Sequence, residues 1–393
     1  MNGLDGWLDG ARILHLFANY KWTGPADPAI RTAARLRALG VDVLFAQAGF
    51  VHAGGEHRVA EELWHWRLPV VTGLELRKHF HIASLRRDVQ ALRALLVRDR
   101  YDLLHCHQTS DHLIAALACR RAPRPPVIVR SLYDPEPPLR GLRTRFCFAR
   151  THGVVAPTRR AAAGVAGRFG LGADAVLFQE PVVEARAPHG PDLRVAWGLA
   201  PAHRAIGITA RIQPHRRFEL LWQVARAVVD QVPAARFVLL GRGNEQDTQA
   251  LVTGPVRALR LQDHVVLPGY LREPDYSAAL RSLDLFLFLV PGSDGTCRAV
   301  REAMAQGLPV VATQRGILPD LLAPVRSGEV PGAAVAEDAD ALARELIGYL
   351  RDEPRRRAAG IAARRRAELD MDPQAAARAL AAFYARLLGA RRR

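Results

Sequence analysis

Residues 283–316 read LDLFLFLVPGSDGTCRAVREAMAQGLPVVATQRG. Leu285 to Val290 is an unbroken apolar run of the length and character of a strand buried on both faces. Pro291-Gly292-Ser293-Asp294-Gly295 is a cluster of turn formers. Thr296 to about Gln306 then predicts a helix, with Gly307 as its stop and Pro309 just beyond. Leu308 to Thr313 predicts the next strand. Strand, loop, helix and strand in this order make the βαβ unit of a parallel sheet.

Such a unit has a functional end. Ligands of open α/β sheets sit beyond the carboxyl ends of the strands, where helix N-termini point. The N–H groups of Gly295, Thr296 and Cys297 are expected there without intrahelical partners, in a position to bind an anion. Asp294 and Glu302 flank the spot, eight positions apart. Taken alone, Asp294 reads as a helix cap and Glu302 as a solvated residue. The rest of the chain has to decide between cap and site.

The chain has 393 residues, enough for two domains with their own cores. Hydrophobic residues make up 49% and charged ones 24%, as in ordinary soluble globular proteins. No apolar run approaches the roughly 20 residues that span a bilayer. The start, MNGLDGWLDG, lacks the basic residues of a secretory signal, and cytoplasmic residence is expected. Cys106, Cys119, Cys147 and Cys297 form no CxxC pair, which predicts buried or free thiols. The net charge of +16 is carried almost wholly by arginine and is spread over both halves of the chain. Such an excess suits anionic partners: nucleotides, phospholipid surfaces or nucleic acid.

Working outward from residues 283–316, the same alternation recurs. Strands are predicted at Ala11–Asn19, Val41–Gln47, Tyr101–His107, Pro126–Leu132 and Gly153–Pro157, with helices at Ala29–Leu39, Ile82–Asp99, Asp111–Arg121, Leu139–Ala149 and Thr158–Phe169. The loop at Gly24, between Thr23 and Pro25, lies at the carboxyl end of the first strand and can reach a phosphate or a hydroxyl. His105 and His107 bracket Cys106, but no carboxylate or further His stands at ligand spacing, so no metal is expected there. From Val182 to Arg204 the pattern loosens around Pro188, Gly190, Pro191 and Pro201, as a link between domains. Strands resume at Ala205–Ala210, Ala235–Leu240 and His264–Leu267, with helices at Phe218–Gln231 and Glu245–Leu259. Two successive strand series predict two doubly wound α/β domains facing each other. Pro373–Ala390 is a helix long enough to cross back onto the first domain. The predicted boundaries are 1–190, 191–370 and 371–393.

The second series carries the chemistry. After its first strand stands Arg211-Ile212-Gln213-Pro214-His215-Arg216-Arg217, a set of guanidiniums suited to bidentate contacts with a diphosphate. After its second stands Gly241-Arg242-Gly243, whose glycines permit close backbone approach, although the third glycine of a dinucleotide fingerprint is missing. A Gly269-Tyr270 turn follows the third. With Asp294 and Glu302 these all fall at carboxyl ends of strands in one domain. A nucleoside-diphosphate sugar needs this combination: cations and N–H groups for the diphosphate, and acids for ribose and sugar hydroxyls.

The second domain resembles that of the retaining GT-B glycosyltransferases, most closely family 4. Those proteins carry an acid, seven residues and a Glu in a frame like E-x-F-G-x-x-x-x-E-A-M-A-x-G-x-P-V-V. Here Asp294 takes the place of the first acid, and Glu302-Ala303-Met304-Ala305-Gln306-Gly307-Leu308-Pro309-Val310-Val311 matches in full. Arg211 and Arg216 fall on the Arg and Lys of G-R-x-x-x-x-K-G, Gly243 on the L-G-x-G loop, and Val265–Leu271 on the segment near the base. Three departures stand out: Asp294 is one methylene shorter than Glu, Arg216 replaces Lys, and Arg130-Ser131-Leu132-Tyr133-Asp134 has no His where many relatives place one.

The resemblance implies a GT-B fold with two facing Rossmann-like domains. It implies a hexosyltransferase acting with retention on a nucleotide-sugar donor and a glycan, lipid-linked or small-molecule acceptor in cell-surface polysaccharide or glycoconjugate synthesis. Arg211 and Arg216 would neutralise the diphosphate, Glu302 would bind ribose, and Asp294 with the amides of Gly295, Thr296 and Cys297 would hold the sugar. No metal or other cofactor and no nucleic-acid partner is expected. An anionic membrane surface is a further expected partner, through basic helices such as Leu85–Arg100 and Leu139–Arg150 at the inner face of the cytoplasmic membrane. The rival expectations are another GT-B enzyme, such as a nucleotide-sugar 2-epimerase or an inverting heptosyltransferase, and a non-catalytic basic protein that binds nucleic acid or membrane.

Overall fold

A computed structural model describes residues 8, 10–49, 57–185, 190–290, 295–325 and 328–392. They form two compact units. The first holds the chain up to Pro181 together with Gly295, Thr296 and the segment from Pro373 onward; the second holds Val182 to Val290 and Cys297–Asp372.

The first unit is built on six parallel strands: β1 (Arg12–Phe17), β2 (Asp42–Gln47), β3 (Leu103–Cys106), β4 (Val127–Ser131), β5 (Gly153–Ala156) and β6 (Val176–Phe178), in the order β2-β1-β3-β4-β5-β6. Side chains of a strand alternate between faces, and here both faces are covered, so the strands read as continuous apolar runs. One face, with Ile13, Phe17, Phe45, Leu103 and Val129, lies under the helix Ala26–Ala38 and under Leu380, Phe383 and Tyr384 of the helix Pro373–Arg392. The other, with Leu14, Leu16, Leu104 and Ile128, packs on the helices Ile82–Asp99 and Thr109–Cys119. The C-terminal helix sits close because β5 opens with a glycine. A Cβ at Gly153 would stand 2.5 Å from Leu387 Cδ1 and 2.8 Å from Phe383 Cζ.

The second unit repeats the design with β7 (Arg204–Thr209), β8 (Ala235–Leu240), β9 (Val265–Gly269), β10 (Leu285–Phe288), β11 (Val310–Thr313) and β12 (Gly332–Val335), ordered β12-β11-β10-β7-β8-β9 and all parallel. From β7 the chain winds one way through β8 and β9, then returns to lay β10 on the other side of β7. The strand order therefore reverses between β7 and β10, the place where doubly wound sheets open a crevice.

Three expectations need correction. The helix predicted from Thr296 begins at Arg298, with Cys297 as its N-cap in a left-handed conformation at φ 50°. The helix predicted at Leu139 begins at Leu142, capped by Gly141. The helix predicted over Glu245–Leu259 is interrupted: Glu245–Thr248 is α, Gln249–Thr253 a π turn, and Gly254–Ala258 α again. Pro255 explains the break. It has no N–H to give the carbonyl four residues back, and that carbonyl, Leu251 O, instead accepts from the indole Nε1 of buried Trp222 at 2.6 Å. All four cysteines are buried and none forms a disulfide.

The Trp222 bond gives the first test. Trp222→Phe keeps most of the apolar contact but leaves the Leu251 carbonyl buried without a donor. Chemical denaturation should show a loss of about 1–3 kcal/mol from that unmet acceptor together with the smaller ring. A variant as stable as the parent would show that water, not the indole, serves this carbonyl.

Candidate active site

The loops that leave β7, β8 and β9 come together at the carboxyl edge of the second sheet, with Val290 just past β10 beside them. After β7 the chain passes Arg211, whose side chain is exposed, then buried Ile212, and forms a short 3-10 turn at Pro214–Arg216. Arg216 reaches across the reversal: its Nη1 donates to the Val290 carbonyl at the end of β10, at 3.4 Å. Arg217 takes a left-handed conformation at φ 59° and is engaged by Glu219 at 2.8 Å and Glu337 at 3.3 Å. Of the guanidiniums in this loop, Arg211 has no ion-pair partner among the described residues, which leaves it available to an incoming anion.

Glu302 sits on the outer turn of the helix Arg298–Ala305, where its carboxylate accepts from Arg298 Nε at 2.7 Å, one turn earlier. Arg298 fixes its rotamer while leaving the second oxygen able to accept. Tyr276 lies beside it. Its hydroxyl and Thr209 Oγ1 at the end of β7 are 3.2 Å apart. Burial, reinforced by the Glu302 charge, pushes the phenol far above its ordinary range, so Tyr276 stays a neutral hydroxyl. Glu302, Arg298, Tyr276 and Thr209 therefore form one polar group at the point where the strand order reverses.

The glycine turn after β8 also has a role within the fold. On the side where a Cβ would stand, the space beside Gly241 and Gly243 is filled by the protein. A Cβ at Gly241 would fall 1.8 Å from the Ala210 carbonyl, and one at Gly243 would fall 2.7 Å from Ile212 Cβ. The two loops are stitched together by Ile212 N–H donating to Arg242 O at 3.0 Å. The glycines let the β8 loop press against the arginine loop and hold it in place. Between them Arg242 lies over the ring of Tyr270, 4.7 Å from its centroid, just past Gly269 at φ 85°. This makes a half-exposed stacking platform at the ends of β8 and β9.

Of the other expected site residues, Gly24 lies in the turn ahead of the helix Ala26–Ala38 in the first unit. Gly295, at φ 59°, and buried Thr296 precede the helix Arg298–Ala305 instead of forming its first turn. Asp294 lies outside the described residues. Local reading missed Arg298, although its i, i+4 spacing to Glu302 is visible in the sequence. It also missed Arg301, which is 1% exposed and donates to the Val182 carbonyl.

Two family models match these two units. The model for glycosyl transferases group 1 matches residues 203–352, and that for Glycosyltransferase Family 4 matches residues 29–178. The chain belongs to the GT-B glycosyltransferases. It is similar to the GDP-mannose-dependent alpha-mannosyltransferase of Mycolicibacterium smegmatis, with 32% identity over 56% of this chain and 54% of that protein. It is also similar to the phosphatidyl-myo-inositol mannosyltransferase of Mycobacterium leprae, with 27% identity over 67% of each chain. The match thus spans about half the length of the first relative. Among solved structures, that of Anabaena Alr3699/HepE in complex with UDP superposes with a TM-score of 0.75 at 18% identity, over 95% of this chain and 100% of that one. At that identity the likeness defines the fold.

The glycine contacts yield a test that needs no ligand. Gly241→Ala forces the β7 and β8 loops apart, and overpacking of this kind costs about 1–3 kcal/mol. The denaturation midpoint of the ligand-free variant should fall. An unchanged midpoint would mean that the turn is spaced for a ligand only.

Proposed function

We propose that this protein transfers a hexose from a nucleoside-diphosphate sugar to a hydroxyl of a glycan or lipid-linked acceptor, with retention, in the synthesis of a cell-surface glycan or glycolipid. The observation that carries the reading is the placement of Arg211, Arg216 and the Arg298–Glu302 pair around the reversal between β7 and β10. Arg211 and Arg216 neutralise the diphosphate, whose charge grows as the glycosidic bond breaks. Glu302, held by Arg298, accepts from vicinal ribose hydroxyls. The Arg242–Tyr270 platform lies beside the base. Asp294 and the amides of Gly295, Thr296 and Cys297 hold the transferred sugar. Transfer requires no metal in this scheme, because guanidiniums and backbone N–H groups supply the positive charge that a cation would supply.

A thermal-shift panel tests the donor. It starts with GDP-mannose, the donor named for the mycobacterial relative, and UDP-glucose, present in a crystal structure of Alr3699/HepE. A true donor at about 100 times its Kd stabilises by roughly 2.7 kcal/mol. Arg211→Ala and Glu302→Ala should each lower transfer by about a hundredfold or more while leaving the unliganded melting temperature nearly unchanged. Undiminished transfer in both variants would overturn the site.

The acceptor side has its own surface signal. Leu139 and Leu142 are 83% and 88% exposed and alternate with Arg140 and Arg143, so leucines stand in solvent among cations. We propose that this edge of the first unit rests on an anionic membrane, as a peripheral contact; none of the described helices is long and apolar enough to cross one. The protein should float with anionic liposomes at moderate salt. Leu139→Asp combined with Leu142→Asp should reduce the floated fraction several-fold, and equal flotation of parent and variant would place the contact elsewhere.

A further inference from the structure

A cleft of about 700 Å³ opens at the amino end of the first sheet. Tyr101 and Asp102 lead into β3 there, and Pro126 leads into β4. Leu96 and Val97 of the helix Ile82–Asp99 line one part of it, and Leu388 and Arg391 of the helix Pro373–Arg392 another. In a parallel sheet all strands start at this edge, opposite the one where the loops after them stand. The cleft shares no residue with the donor site, and nothing in the proposed reaction uses it.

We infer that this cleft is a binding site for a phosphate monoester of a sugar or polyol, held as its dianion. Arg100, Arg124 and Arg391 converge on it, all exposed. None of their side chains has a hydrogen-bond or ion-pair partner among the described residues. Arginines elsewhere on the surface are tied down one helical turn away, as Arg226 is by Asp230 at 2.7 Å and Arg357 by Glu353 at 2.6 Å. Three like charges gathered without such partners repel one another until an anion enters. Guanidiniums suit a phosphate, whose oxygens accept their N–H groups in pairs. Asp102 is the one carboxylate of the described lining. Its Oδ2 accepts from Arg12 N at 2.9 Å, and its Oδ1 has no partner among the described residues. Three guanidiniums and one carboxylate leave two positive charges, which a monoester dianion balances. A carboxylate oxygen left open beside a phosphate accepts a hydroxyl, so the ligand carries both groups.

The lining is also preorganised. Arg124 stands in Pro123-Arg124-Pro125-Pro126, and a residue before proline is confined to extended backbone. Prolines on both sides fix the chain that carries this guanidinium, which lowers the ordering cost of binding. Arg100 caps the helix Ile82–Asp99 in the left-handed conformation at φ 51°, a place that favours glycine. That turn sets a cation and the hydroxyl acceptor Asp102 two residues apart in the same cleft. Tyr101 between them is buried, with Arg12 over its ring 5.4 Å from the centroid. Leu96, Leu388 and the prolines give the cleft apolar walls against which the C–H faces of a sugar can pack. Its volume falls within the roughly 300–1,000 Å³ of small-molecule sites and exceeds what a bare phosphate fills.

The test is calorimetric titration of the full-length protein with sorbitol 6-phosphate, in a buffer free of phosphate. Sorbitol and inorganic phosphate serve as controls. The ester should fill one site per chain, about tenfold or more tighter than inorganic phosphate, and sorbitol should not bind. Arg124→Ala combined with Arg391→Ala should weaken the ester by about tenfold or more. Arg124→Lys, which keeps the charge without the fork, should fall between parent and double variant. Arg211→Ala combined with Glu302→Ala should leave the affinity for the ester unchanged. A parent that binds no ester, or binds inorganic phosphate equally well, would overturn the assignment. Undiminished binding in the Arg124 and Arg391 double variant would also overturn it. So would loss of binding in the Arg211 and Glu302 double variant, by placing the ester in the donor site.

Discussion

Parallel strands cannot be joined by tight turns, and that constraint orders everything else in the second unit. Each of its strands must be followed by a crossover, so every strand enters the sheet from the same edge and every functional loop leaves by the other. Where winding continues in one direction, successive crossovers cover the same face and the loops pack together. Only between β7 and β10 does the direction change. There Arg216 of the β7 loop reaches the Val290 carbonyl just past β10, and polar side chains gather at the reversal.

The packing of the loops turns that opening into a defined surface. Gly241 lets the β8 loop approach the Ala210 carbonyl, Ile212 is buried, and Arg211 is left outside. The alternation of exposed Arg211, buried Ile212 and half-buried Gln213 makes this loop an extension of the strand pattern, anchored by one apolar residue. On the β10 side the anchor is Thr313, whose hydroxyl donates to the Leu289 carbonyl. Rigid anchors on both sides let a charged surface exist without collapsing onto itself. Arg217, by contrast, is tied to two glutamates and belongs to the scaffold.

Much of this was legible in the sequence. Helices Phe218–Gln231 and Ile82–Asp99 and strand β8 stand where periodicity put them, because long amphipathic or fully buried runs leave few alternatives. Strands β6 and β12 were not legible. β6 is three half-buried residues at a sheet edge, and β12 is the Gly-Ala-Ala-Val stretch from Gly332 to Val335, too short and too small-chained to show a strand period. The break at Pro255 was visible as a proline, but not its compensation, since Trp222 stands 29 residues from the carbonyl it serves. At the candidate site, the arginines, glycines and Glu302 were legible as chemistry. What the glycines touch was not, because a glycine in a loop looks the same whether a ligand or the protein's own backbone fills the space beside it.

The histidines show the same limit more sharply. Local spacing around His105 and His107 showed no further partner, because partners are usually sought along one segment. His15 lies 92 residues from His107 in the chain but one strand away in space. A parallel sheet joins residues at distances set by the length of the crossover, and no local motif encodes that length. The side chains that a doubly wound fold brings together on one face are therefore the ones that sequence spacing reports least well. Two of the polar clusters among the described residues arise in that way. Glu302 and Thr209 are linked through Tyr276 at the join of β7 and β10, and His15 and His105 meet at the join of β1 and β3. In each unit the cluster stands where the strand order turns back on itself, and in the first unit the helix Pro373–Arg392 covers that place through Tyr384.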